Sequence, residues 1–135
     1  MNAKLALVAI WALAAVPLLR LMSVWDSIPE RVAVHFGISG EPNGWSSKSA
    51  LPWLVAFPIL GQATLATFLI IRLGAHSPLF PITHALITFV LVCAFWQMIE
   101  FNANKTPFRI LWVIGPLVLM FGMIAFNLVT RFPKR

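Results

Sequence analysis

Two groups of residues in this chain have types suited to proton transfer, metal binding or ion conduction. His35, with Asp26, Glu30 and Glu41 nearby, lies in a polar stretch; His84, Gln97 and Glu100 lie in a long apolar block. His35 could ligate a metal, make a pH-sensitive contact or form a hydrogen bond. A metal needs several donors at regular spacing, and Asp26, Glu30 and Glu41 stand at no recognised ligand interval from it. No metal is expected, and the expected role of His35 is a hydrogen bond that holds its loop. His35 and Glu41 are also acid–base candidates by residue type alone. The chain has no G-x-S-x-G, no H-E-x-x-H, no phosphate-binding glycine loop and no paired aspartates. A non-enzymatic protein without cofactor or catalytic residues is therefore expected.

On a helical wheel Cys93, Gln97 and Glu100 fall within about 60° of one another, while Thr83, His84 and Thr88 mark a different face. Ionisable groups inside a membrane are costly and point to function by default. Glu100, Gln97 and His84 thus form a candidate intramembrane polar site, as a small oligomeric transporter or proton-coupled channel component would need. Glu100 and His84 each lie near an end of their block, within reach of interfacial water.

The elements that must carry these residues are set by composition. The chain has 135 residues, 60% of them apolar and 10% charged, with a mean hydropathy of +0.88. A water-soluble domain of this size needs a charged surface that is missing here. Four apolar blocks, at about 5–25, 51–71, 80–101 and 110–130, are each long enough to cross roughly 30 Å of hydrocarbon. The expected fold is an all-α integral membrane protein: four transmembrane helices in an up-down bundle, forming one domain over 1–135. The first block resembles a signal peptide, with Lys4 ahead of Leu5–Trp11 and an Ala12-Leu13-Ala14 tripeptide. Its apolar run continues past that point to Trp25, so an uncleaved span is expected.

The net charge of +6 does not imply nucleic acid, because the ten Lys and Arg fall singly at block ends apart from Arg131, Lys134 and Arg135. That distribution suits anionic headgroups, and the expected partner is the lipid bilayer. Trp25, Trp53 and Trp112 near block ends suit the same interface, towards which Arg20 can snorkel. Alternating helices place five basic residues on each side, with all four acids beside the second set. The first side is then the more positive, which places both termini in the cytoplasm. The lone Cys93 reads as a small buried hydrophobe. Gly115 and Gly122, seven apart on one helix face, allow close helix approach and could build a homo-oligomer.

Between the first two blocks lies the motif loop Ile28–Lys48, about twenty residues and longer than a simple connection requires. Val32, Val34 and Phe36 alternate with Ala33 and His35 as in a short strand. Gly37, Gly40 and Asn43-Gly44 supply turn chemistry, the last pair being the signal for a tight reversal. Ser46 or Ser47 is expected to cap the second helix, with Pro52 in its first turn. Glu41 is expected to pair with Lys48 or Arg31. The whole reads as a strand or hairpin folded across the bundle end.

The pattern Pro29-x-x-Val32-x-x-His35-Phe36, followed by Gly40, Glu41, Asn43, Trp45 and Lys48, resembles the signature of a bacterial membrane domain of unknown function. That domain forms the first part of SdpI-type proteins, which confer immunity to a secreted killing toxin. The resemblance implies a bacterial plasma (inner) membrane protein with the motif between its first two spans. It also implies a peptide toxin or another membrane protein as partner, met through those motif residues. The second SdpI region, with its further spans, is expected to be missing from this chain.

Overall fold

Each apolar block folds as one helix in the computed structural model, which describes residues 3–73 and 79–131. The order is α1 (Ala3–Ser23), β1 (Arg31–Phe36), β2 (Pro42–Ser47), α2 (Leu51–Leu73), α3 (Leu79–Asn104) and α4 (Leu111–Arg131). Short 3-10 turns at Trp25–Ser27 and Lys48–Ala50 join the hairpin to α1 and α2. Pro52 and Pro81 sit in the first turns of α2 and α3, where the missing N–H is not needed. The expected turn at Gly74, Ser77 and Pro78, and the terminal Lys134 and Arg135, lie outside the described residues.

Among the described residues three stretches are long and apolar enough to cross a membrane: Ala3–Ser23, Lys48–Arg72 and Pro81–Asn104. The fourth expected span coincides with α4, whose described apolar run, Leu111–Phe126, is shorter. Large apolar side chains such as Val8, Phe68 and Leu119 face outward, and Phe57 is 79% exposed. An apolar exterior of this kind is consistent with a multi-pass membrane protein.

The bundle differs from an even four-helix arrangement. Helices α1, α2 and α3 pack against one another, whereas α4 packs chiefly on α3. Small residues explain the three-helix core, because Ala14, Ala63 and Ala66 let the backbones approach around Ile10 and Ile59. No comparable contact involves the α4 glycines. A Cβ at Gly115 or Gly122 would meet nothing within 4 Å beyond its own helix backbone and chain neighbours.

A second cluster, with Leu21, Val32, Leu51, Val55 and Ile99, seats the hairpin on the bundle end. Burying a side chain such as Val32 away from water contributes about 1.5–3 kcal/mol. The strands are antiparallel, with Arg31 opposite Ser47 and Ala33 opposite Trp45, and the register shifts on either side of His35. Asn43-Gly44 is therefore not the reversal but part of β2, at this irregular point. Gly44 is required there because a Cβ would come within 2.7 Å of the His35 Cβ. The chain reverses at Gly37–Glu41 instead, where Gly37 N–H donates to the Glu41 carbonyl and Gly40 N–H to the Gly37 carbonyl, both at 2.9 Å. Neither Ser46 nor Ser47 caps α2. The Lys48–Ala50 turn intervenes, and the Ser47 and Ser49 hydroxyls bond each other at 2.9 Å.

Candidate functional site

The motif loop acquires its shape from a residue on α3. Asn102 is 1% exposed. Its Oδ1 accepts the Ala33 N–H at 2.8 Å, and its Nδ2 donates to the Ala33 carbonyl at 2.8 Å. Nδ2 also donates to the Met98 carbonyl one turn back, at 2.8 Å. The amide thus takes the place of a neighbouring strand, satisfying both main-chain groups that β1 turns away from β2. Ala33 is buried as a result, although the alternation expected only Val32, Val34 and Phe36 to face inward.

The hairpin tip is held by aromatic packing. Phe36 stacks on Phe108, with ring centroids 4.3 Å apart and planes at 10°, and meets Phe101 edge-on at 5.0 Å. Gly40 has φ +84° and lies directly against the Phe108 carbonyl. Phe108 can reach this point because the α3–α4 connector doubles back along α3. Lys105, at φ 56°, starts that reversal, and its N–H donates to the Phe101 carbonyl at 3.1 Å. The connector is fastened lower down, where the Gln97 Oε1 accepts the Arg109 N–H at 2.7 Å. Glycine is the usual residue in this left-handed position at a helix end. Lys105→Gly should therefore raise stability by about 0.5–1 kcal/mol, read as a higher unfolding temperature in detergent.

The outward face of the hairpin carries Arg31, His35, Asn43 and Trp45, all exposed. His35 Nδ1–H donates to the Asn43 side-chain oxygen across the strands. The Arg31 guanidinium lies over the Trp45 ring at 5.2 Å, and Lys48 Nζ over Trp25 at 4.9 Å. The expected pairing of Glu41 with Lys48 or Arg31 is not formed, because both cations sit on indoles. Glu41 is exposed, and Pro29 is half-buried just before β1.

Of the polar candidates on α3, Gln97 and Glu100 line one cleft, and His84 is not brought to them. His84 and Glu100 are sixteen residues apart on α3, about 24 Å along a helix. The Gln62 Nε2 donates to His84 Nδ1 at 3.1 Å, and Thr88 Oγ1 donates to the His84 carbonyl at 2.9 Å. Glu100 accepts from Arg20 Nε on α1 at 2.6 Å and from Asn104 Nδ2 at 2.6 Å. Arg20 Cζ also lies 5.5 Å from the centre of the Trp96 ring. Arg20 therefore does more than snorkel, since it compensates an acid eighty residues away. Among the described residues this is the one ion pair, and no group of three or more potential metal ligands occurs.

Comparison with known families falls on the first half of this assembly. Residues 6–61 match the family model described as Domain of unknown function (DUF1648). The match supports the likeness to a domain of unknown function over α1, the hairpin and the first part of α2. No curated protein and no solved structure matches the chain. Asn102, Phe101 and Phe108, which fix the hairpin, lie outside the matched segment.

Sequence reasoning missed these three residues. Asn102 reads as the first residue of a connector, whereas it belongs to the last turn of α3. The available signal was its i+4 spacing from Met98, which places it on the buried face.

Proposed function

We propose that this chain is a non-catalytic multi-pass membrane protein that recognises a partner polypeptide on the outward face of its hairpin. One observation carries the reading: the hairpin is clamped from behind by Asn102 and Phe108, while Trp45 on its front stays 47% exposed. A clamped hairpin offers its face preformed, so a partner orders little on binding. Trp45 with Arg31 stacked on it, beside the His35–Asn43 pair, supplies the residue types on which recognition energy concentrates. Ile38 at the tip is 85% exposed and adds an apolar contact.

The motif's resemblance to the SdpI type makes a secreted peptide the first partner class to test, ahead of another membrane protein. The same reading takes α4 as a fourth span in the bacterial inner membrane. Both termini are then cytoplasmic and the hairpin is outside; the ten basic residues divide evenly between the sides, and the four acids on the hairpin side leave the other the more positive. With Cys93→Ala in place, a cysteine at the exposed Ser39 should react with an impermeant maleimide in intact cells. Reaction only after lysis overturns the orientation.

Trp45→Ala tests recognition itself. Its side chain is about half exposed and its described ring contact is with Arg31, so stability should fall by no more than about 1 kcal/mol. A photo-crosslinker at Ser47 should capture a partner in cells, and Trp45→Ala should abolish that adduct without changing protein level. If Trp45→Ala lowers the unfolding temperature and spares the adduct, the hairpin is a structural cap.

A further inference from the structure

Because α4 packs chiefly on α3, an open apolar groove of about 710 Å³ remains between them, lined by Phe89, Cys93, Leu111, Gly115 and Leu119. Trp112 joins this groove to a second, smaller cleft of about 230 Å³ at the corner where the connector meets α4. The cleft is walled by Trp96, Gln97, Glu100, Arg109 and Trp112. It lies beside the end of α3, at the level where Arg20 and Glu100 pair.

The smaller cleft has donors left over. Gln97 Oε1 is committed to the Arg109 N–H, which fixes the amide's orientation. Its Nε2 is shielded from water and has no acceptor, a costly state for a buried donor. The Arg109 side chain is exposed and makes no ion pair among the described residues. Glu100 does not oppose an anion here, since its two oxygens are taken by Arg20 and Asn104. One unpartnered amide donor and a cation at one end, with an apolar trough leading away from them, complement a molecule with an anionic head and a hydrocarbon tail. A free anion would leave the trough unused.

We propose that one phospholipid binds between α3 and α4, its phosphate held by Arg109 and Gln97 Nε2 and one acyl chain lying along the groove over Gly115. A phosphate oxygen at the Gln97 wall of the cleft supplies the acceptor that Nε2 lacks, with Oε1 still held by the Arg109 N–H. Trp96 and Trp112 frame the mouth at headgroup depth, where indoles are favoured. The inference rests on the membrane-spanning reading.

The test uses the full chain purified in detergent and native mass spectrometry with added dioleoylphosphatidylglycerol or dioleoylglycerol, which lacks the phosphate. Gly115→Phe fills the groove from a position where a Cβ meets open space, whereas Gly122→Phe, with open space at its Cβ too, changes α4 beyond the groove's lining. The phospholipid adduct is expected to fall about tenfold in Gly115→Phe and in Arg109→Gln and to persist in Gly122→Phe. Dioleoylglycerol is expected to bind no better than phospholipid binds to Arg109→Gln. Equal phospholipid retention by Gly115→Phe, or equal binding of dioleoylglycerol, overturns the proposal. A dimer that replaces the lipid adduct and is lost in Gly115→Phe assigns the groove to a second copy and also overturns it. Should Gly115→Phe unfold, Arg109→Gln and the two lipids still decide. If the chain washes off membranes in alkaline carbonate, the membrane reading fails as well; retention without lipid selectivity removes this inference alone.

Discussion

Asn102→Leu is expected to destabilise the protein by about 3 kcal/mol. Leucine keeps the volume and removes three hydrogen bonds, leaving the Ala33 N–H and carbonyl buried and bare. Each such group costs roughly 1–3 kcal/mol, partly offset by the apolar replacement. Asn102→Asp should do no better, since an acceptor-only carboxylate would face the carbonyls of Ala33 and Met98. Thermal unfolding in detergent measures the loss, and hydrogen exchange at the Ala33 amide locates it. An unchanged exchange rate at Ala33 would mean that the hairpin is held by its apolar face alone.

Gly40→Val comes next, with an expected cost of about 2–4 kcal/mol. Two penalties combine. The backbone at φ +84° is open to glycine and strained for a β-branched residue, and any Cβ there runs into the Phe108 carbonyl oxygen. Gly40→Asn tolerates the dihedral angle better but still meets that oxygen, so it should recover only part of the loss. Gly37→Ala is the contrast: its Cβ would find ordinary contacts, the nearest at 3.6 Å. Unfolding temperature and protease cleavage within 37–41 should separate the three variants in that order. Equal behaviour of Gly40→Val and Gly37→Ala would show that the tip does not press on the connector.

The helices were legible because hydropathy in a window of about twenty residues is a local property. The hairpin's position was legible from alternation and from its density of glycine and polar residues. Its register was not, because Asn43-Gly44 is the usual reversal signal and here serves an irregular crossing opposite His35 instead. The clamp was hidden for a different reason. Ala33 and Asn102 are 69 residues apart, and nothing in the composition near either one specifies the other. Arg20 and Glu100 each look like ordinary span-end charges until α1 and α3 are placed side by side. The isolation of α4 was equally invisible, since its apolar residues look the same whether they face helices or lipid.

The pairing of β1 with an asparagine rather than a third strand has a consequence for the order in which the molecule is made. A chain synthesised from its N-terminus completes α1, the hairpin and α2 before residue 102 leaves the ribosome. Until then the Ala33 main-chain groups lack the Asn102 amide, and the outer edge of β1 is a bare template. Packing of α3 against the hairpin is thus the step that closes this edge, and the arrival of Phe108 then pins the tip. The hairpin belongs to the early part of the polypeptide but matures only when the third helix arrives.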